Sequence, residues 1–216
     1  MFSKLFSRNT PAKETPKAPE ILGLRLGGAF ELDSLKLRLI EPELVIEGAA
    51  TTHLIQSVGE VKLDAQTTVL RFYTDDDAFV QVLLEGGTTE HCVADVKLWY
   101  FYDTQGVGSQ QEWDGVLDNT IAQPQLTFEG SEYTAVWQNT NASVSPVAMT
   151  EKTYAADGTT SHTDQFAMLY ERQINAQLFE YLMLAGEEKI IGPRADRCLV
   201  RATGFDLQPT DIDIIG

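Results

Sequence analysis

Histidine, cysteine and basic side chains are all scarce in this chain of 216 residues, and each scarcity removes a class of function. There are three histidines and two cysteines. None of His53, His91 and His162 stands two to four residues from another histidine or a cysteine, bar the adjacent pair His91-Cys92. No zinc-site spacing is present, and no metal or organic cofactor is expected. Sixteen basic residues face 32 acidic ones, a formal net charge of −16. Phosphate backbones repel such a surface, so nucleic acid is excluded as a partner. No apolar run approaches the roughly 18 residues of a membrane-crossing helix. Phosphate-binding loops, dinucleotide fingerprints and nucleophile elbows are missing as well. What remains, 43% hydrophobic and 22% charged, is the composition of a globular chain with a core.

The basic residues are unevenly placed. Residues 1–19 hold Lys4, Arg8, Lys13 and Lys17 against Glu14, which leaves this stretch about +3 and the remainder about −19. Pro11, Pro16 and Pro19 break any long helix, so 1–19 reads as a flexible basic tail. Lys4, Ser7 and Arg8 interrupt the apolar stretch that an export signal needs. The expected location is cytoplasmic, where a disulfide is not expected. At 100° per residue, Phe2, Leu5 and Phe6 share one arc, with Lys4 and Arg8 opposite. These five residues are candidate anchors to an anionic membrane or a partner, peripheral to the inner membrane. The competing reading is an unstructured tail beside an acidic body that the same membrane repels.

Beyond residue 20 a period of two dominates. Leu35, Leu37 and Leu39 alternate with Lys36 and Arg38. Cys92, Ala94, Val96, Leu98 and Tyr100 alternate with Asp95, Lys97, Trp99 and Phe101, and Cys198, Val200 and Ala202 with Leu199, Arg201 and Thr203. Each fits a strand with one buried face. Thr67–Tyr73 and Ala78–Leu84, joined through Asp75-Asp76-Asp77, read as a hairpin. Residues 166–184 fit a helix or a hairpin, with the hairpin preferred. Phe79–Gly86 and Phe179–Gly186 echo each other one hundred residues apart. The expected fold is mostly β (β-rich α+β): short antiparallel strands in one compact body, with two related β-barrel-like modules as its extension. The tail 1–19 precedes a first module at 20–110 and a second at 111–216, packed together.

Local chemistry is sparse. Asp75, Asp76 and Asp77 are a weak candidate site for a hard cation, although the glycine and glutamate of a calcium loop are missing and a solvated turn accounts for them. Neighbouring side chains on a strand point to opposite faces, so His91 and Cys92 form no nucleophile–base couple. Cys92 and Cys198 read as ordinary buried thiols. Trp113, in the polar stretch Gly106–Gly115, is a candidate exposed contact residue.

Leu22–Phe30, Val58–Leu63, Leu70–Asp77, Asp95–Leu98, Ala167–Arg172 and Glu180–Leu184, in this order, resemble the YjfK-like family of uncharacterised bacterial proteins. The resemblance spans most of residues 20–207 and implies no activity and no catalytic residue. It does imply a neighbourhood of phage-shock-type, membrane-associated proteins, hence a protein partner of that kind and a membrane-stress context. The leading expectation is a non-enzymatic accessory or interaction protein. The alternatives are a β module that binds a small molecule, peptide or cation through a barrel mouth or the Asp75–Asp77 turn, and a hydrolase assembled from distant acids and histidines.

Overall fold

The computed structural model describes residues 17–136 and 145–216. Four strands follow one another up and down: β2 (Thr52–Lys62), β3 (Thr67–Thr74), β4 (Ala78–Glu85) and β5 (Val93–Gly106). Four more repeat the pattern: β8 (Val147–Ala155), β9 (Thr160–Gln173), β10 (Phe179–Ile191) and β11 (Arg194–Asp206). The two meanders join antiparallel at both edges, β5 to β11 and β2 to β8. The result is one closed eight-stranded antiparallel barrel, in which every stave is paired on both sides and no open edge remains. The halves divided at residue 110 thus supply four staves each to a single barrel rather than one barrel apiece. The sequence echo falls on the third stave of each half, β4 and β10. Its register repeats as well, with Tyr73 opposite Phe79 and Gln173 opposite Phe179.

Tight turns set the order. Asp75–Asp77 connects β3 to β4, with Asp77 at φ +57°, a left-handed conformation that Asp tolerates. Residues 166–184 form the β9–β10 hairpin. At its tip the Asn175 side chain accepts hydrogen bonds from the Gln177 and Leu178 amides at 2.9 and 3.1 Å.

Two caps cover the outside of the barrel. Over β2–β5 lie residues 21–46 with β1 (Ala29–Leu32), α1 (Ser34–Ile40) and β12 (Ile212–Ile214). Here Leu24, Phe30 and Leu37 pack on Phe72, Val80, Val82 and Leu98. Over β9–β11 lie α2 (Gln110–Gly115), β6 (Gln125–Phe128) and β7 (Ser131–Ala135). There Ile121 and Tyr133 pack on Met168, Tyr170, Leu182 and Leu184. Glu180, buried on the outer face of β10, ties the caps together by accepting from Tyr133 Oη at 2.7 Å, Arg172 Nε at 2.6 Å and the Val45 amide at 2.6 Å.

Two sequence expectations fail in these caps. Leu35, Leu37 and Leu39 do not form a strand. They lie on α1, because the Asp33 side chain accepts from the Leu35 and Lys36 amides and starts a helical turn. Only Leu37 is buried there; Leu35 and Leu39 are 65% and 70% exposed. Trp113 is not an exposed contact residue. Ser109 and Glu112 form a capping box that folds the polar stretch into α2, and Trp113 is only 4% exposed. Its ring meets Phe166 edge-on, with the Arg197 guanidinium 5.1 Å from its centroid. Gly186 lets it approach: a Cβ there would lie 3.0 Å from the indole. No helix among the described residues is long and apolar enough to cross a membrane.

Candidate functional site

Alternation gives the barrel a lumen, and its contents depart from those of an ordinary core. Arg71, on β3, is buried and points inward. Its Nη1 donates to Glu151 on β8 at 2.8 Å and to Gln165 on β9 at 2.7 Å. Since β3 and β9 are not neighbours, the second bond crosses the lumen. Arg71 Nε reaches Gln81 at 3.2 Å, Tyr73 Oη donates to Glu151 at 2.9 Å, and Gln165 Nε2 donates to Glu187 at 2.9 Å. Gly59 leaves room for this layer, because a Cβ there would sit 2.6 Å from the Glu151 carboxylate. Burial opposes the Arg71 charge, but the Glu151 carboxylate beside it offsets the penalty and keeps the guanidinium charged. Burial first, then Glu151, pushes the Tyr73 phenol well up, so it stays a neutral donor. A buried cation is tolerable only with pairing this complete.

This polar waist separates two hollows. Towards one mouth lies a chamber of about 380 Å³. Leu83, Val69, Leu169, Met149 and Met183 line it, Trp99 lies at its floor, and Lys97 and Glu171 lie at its wall. Phe79, Trp99, Tyr181, Met183 and Ala202 pack as one inner cluster beneath. Gly204 backs the Trp99 ring, since a Cβ there would lie 2.5 Å from the Leu98 carbonyl oxygen and 2.7 Å from the indole. Lys97 Nζ is held by Asp95 at 2.9 Å and Asp206 at 2.5 Å, and lies 4.2 Å from the Tyr181 ring centroid. Towards the other mouth the hollow measures about 440 Å³ and is polar, lined by Ser57, Thr104, Thr153, Thr163, Glu187 and Cys198 among others. Burial, then Glu151, raises the Glu187 carboxyl. Burial, then Glu187 and Asp196, pushes the Cys198 thiol up to about 11, so it is neutral and a poor nucleophile at physiological pH.

The sequence candidates sit elsewhere. Asp75, Asp76 and Asp77 do not converge on a cation. Asp75 accepts from the Leu54 amide at 3.0 Å and Asp76 from His53 Nδ1 at 3.0 Å. Among the described residues no three His, Cys, Asp or Glu side chains are grouped to hold a metal. Adjacent positions on the turn send these carboxylates to different neighbours. Burial opposes the charge of Asp76, but hydrogen bonds from His53 and Thr74 outweigh it and lower its pKa. His53 is itself buried, stacked on Phe30 with centroids 4.7 Å apart. His91 lies in the exposed turn Glu90–Cys92, and His162 lines an open groove of about 800 Å³ along β8 and β9. The three histidines share no site. Both cysteines are free and half-buried. The anchor candidates Phe2, Lys4, Leu5, Phe6 and Arg8 lie outside the described residues.

Sequence reasoning missed Arg71, Glu151, Gln165 and Glu187 as a group, because four different strands bring them together. One local signal was present. Arg71 interrupts the apolar run Val69-Leu70-Arg71-Phe72-Tyr73, and a charge inside a stave with both faces covered needs a partner from across the lumen.

No solved structure matches the chain. The uncharacterized protein YjfK of Escherichia coli (strain K12) is 31% identical over 222 residues, covering 100% of this chain and 98% of that protein. The family described as a protein of unknown function, DUF2491, matches residues 1–213, and the chain belongs to this YjfK-like family.

Proposed function

We propose that the protein is a non-enzymatic binding barrel that takes a small, mostly apolar molecule into the chamber above Trp99. The observation that carries this reading is the chamber itself: about 380 Å³ between opposing staves, walled by Leu83, Val69, Leu169, Met149 and Met183. That volume falls within the range of small-molecule sites, which are largely apolar with a few placed polar groups. A guest there removes apolar surface from water at roughly 25 cal/mol per Å². The waist supports binding over chemistry, because each of its charged groups is engaged in holding Arg71 or its partners.

The test uses N-phenyl-1-naphthylamine, a neutral fluorophore that brightens in apolar surroundings. The expected result is saturable brightening and a raised unfolding midpoint, since a ligand that binds only the native state stabilises it. Leu169→Trp and Leu83→Trp fill the chamber from two walls and are expected to abolish the signal while unfolding cooperatively. No saturable binding, or equal binding by both filled variants, overturns the reading.

A further inference from the structure

We propose that the chamber selects molecules carrying a positively charged amine over neutral or anionic molecules of the same shape, with Glu171 as the group that meets the ammonium. This rests on the chamber being a binding site and names the chemistry of its guest.

Glu171 sits on β9 two residues beyond Leu169, on the same inward face, and its half-buried side chain lines the chamber. The two cations that line the same chamber are engaged elsewhere, Lys97 with Asp95 and Asp206 and Arg71 with Glu151, and the adjacent Arg172 pairs with Glu180. Among the described residues none of them pairs with Glu171. Two cations, Arg71 and Lys97, and two carboxylates, Asp95 and Glu171, line the chamber; with the partners that hold the cations, Glu151 and Asp206, four carboxylates stand against two cations. The excess is negative and faces an apolar wall, where a charge is less screened than in open solvent. Tyr181, opposite Glu171 in the β9–β10 register, reports the same field. Burial raises its phenol first, Asp206 next, with Glu171 and Asp95 adding. An amphiphile with an ammonium head places its tail on Leu83 and Met183 and its charge at Glu171. A carboxylate head meets repulsion at the same point.

Displacement of N-phenyl-1-naphthylamine from the full-length protein by octylamine, 1-octanol and octanoate tests this with one tail and three heads. Octylamine is expected to displace the probe at a concentration lower than 1-octanol by about fivefold or more, and octanoate is expected to be weakest. Glu171→Gln is expected to erase the gap between amine and alcohol, with Glu171→Ala as a second variant should the first unfold. Equal displacement by all three, or an amine advantage that survives both variants, overturns this inference and leaves the chamber standing. Failure of all three to displace the probe removes the chamber as a site, and the inference with it.

Discussion

The two hollows of the barrel are built by the same staves and the same alternation, yet they differ in how their lining is satisfied. In the polar hollow the groups around the waist pair with one another: Tyr73 and Thr153 donate to Glu151, and Gln165 to Glu187. In the apolar chamber Leu83, Leu169 and Met183 have no such bonds to make. A guest in the first must break existing hydrogen bonds before it forms its own, with little net gain. A guest in the second displaces only water. Capacity to bind therefore lies with the side whose walls have least to lose.

The largest perturbation of this contrast is expected at the waist. Arg71→Met leaves the Glu151 carboxylate buried without its cation and should lower stability by about 3–5 kcal/mol. The double variant with Glu151→Met is expected to recover most of the loss. Urea unfolding of both measures it, and equal losses would show that the ion pair does not hold the hollows apart. Next comes Gly204→Ala, which drives a methyl into the Leu98 carbonyl and the Trp99 ring. The expected loss is about 1–3 kcal/mol, with a changed near-ultraviolet circular dichroism signal from Trp99 and weakened probe binding.

Glu187→Gln acts on the polar hollow alone and in the opposite direction. Burial and Glu151 hold the Glu187 carboxyl above its ordinary value of 4.5, so the folded state binds this proton more tightly than the unfolded chain. The stability it contributes is complete below about pH 4.5 and declines as pH climbs through the folded value. The variant should therefore match the parent in acid and exceed it at neutral pH, which unfolding midpoints across pH 4–8 would show. The smallest effect is expected outside both hollows. Leu35→Ser with Leu39→Ser, on the exposed face of α1, should stay within about 0.5 kcal/mol by the same unfolding measurement.

Much of the fold was legible because strands report themselves through alternation. The β3–β4 and β9–β10 hairpins and the inward face of Cys198, Val200 and Ala202 were all readable from local pattern. The failures came where context outvoted pattern. Leu35, Leu37 and Leu39 alternate as a strand would, but Asp33 supplies a helix start and the cap needs only Leu37. Trp113 stood in a polar stretch whose capping box, Ser109 with Glu112, turns it inwards. Closure of the barrel was out of reach, since the β2–β8 pairing joins residues nearly a hundred positions apart and nothing local encodes it. The candidate site shares that difficulty: Val69, Leu83, Met149, Leu169 and Met183 come from five strands.

Gly59 carries a consequence for how such chains can diverge. The volume that a methyl would occupy there is already filled by the carboxylate of residue 151, so neither position is free to drift by itself. Across related sequences, a larger side chain at 59 should accompany a shorter or uncharged one at 151, and with it the loss of the arginine at 71.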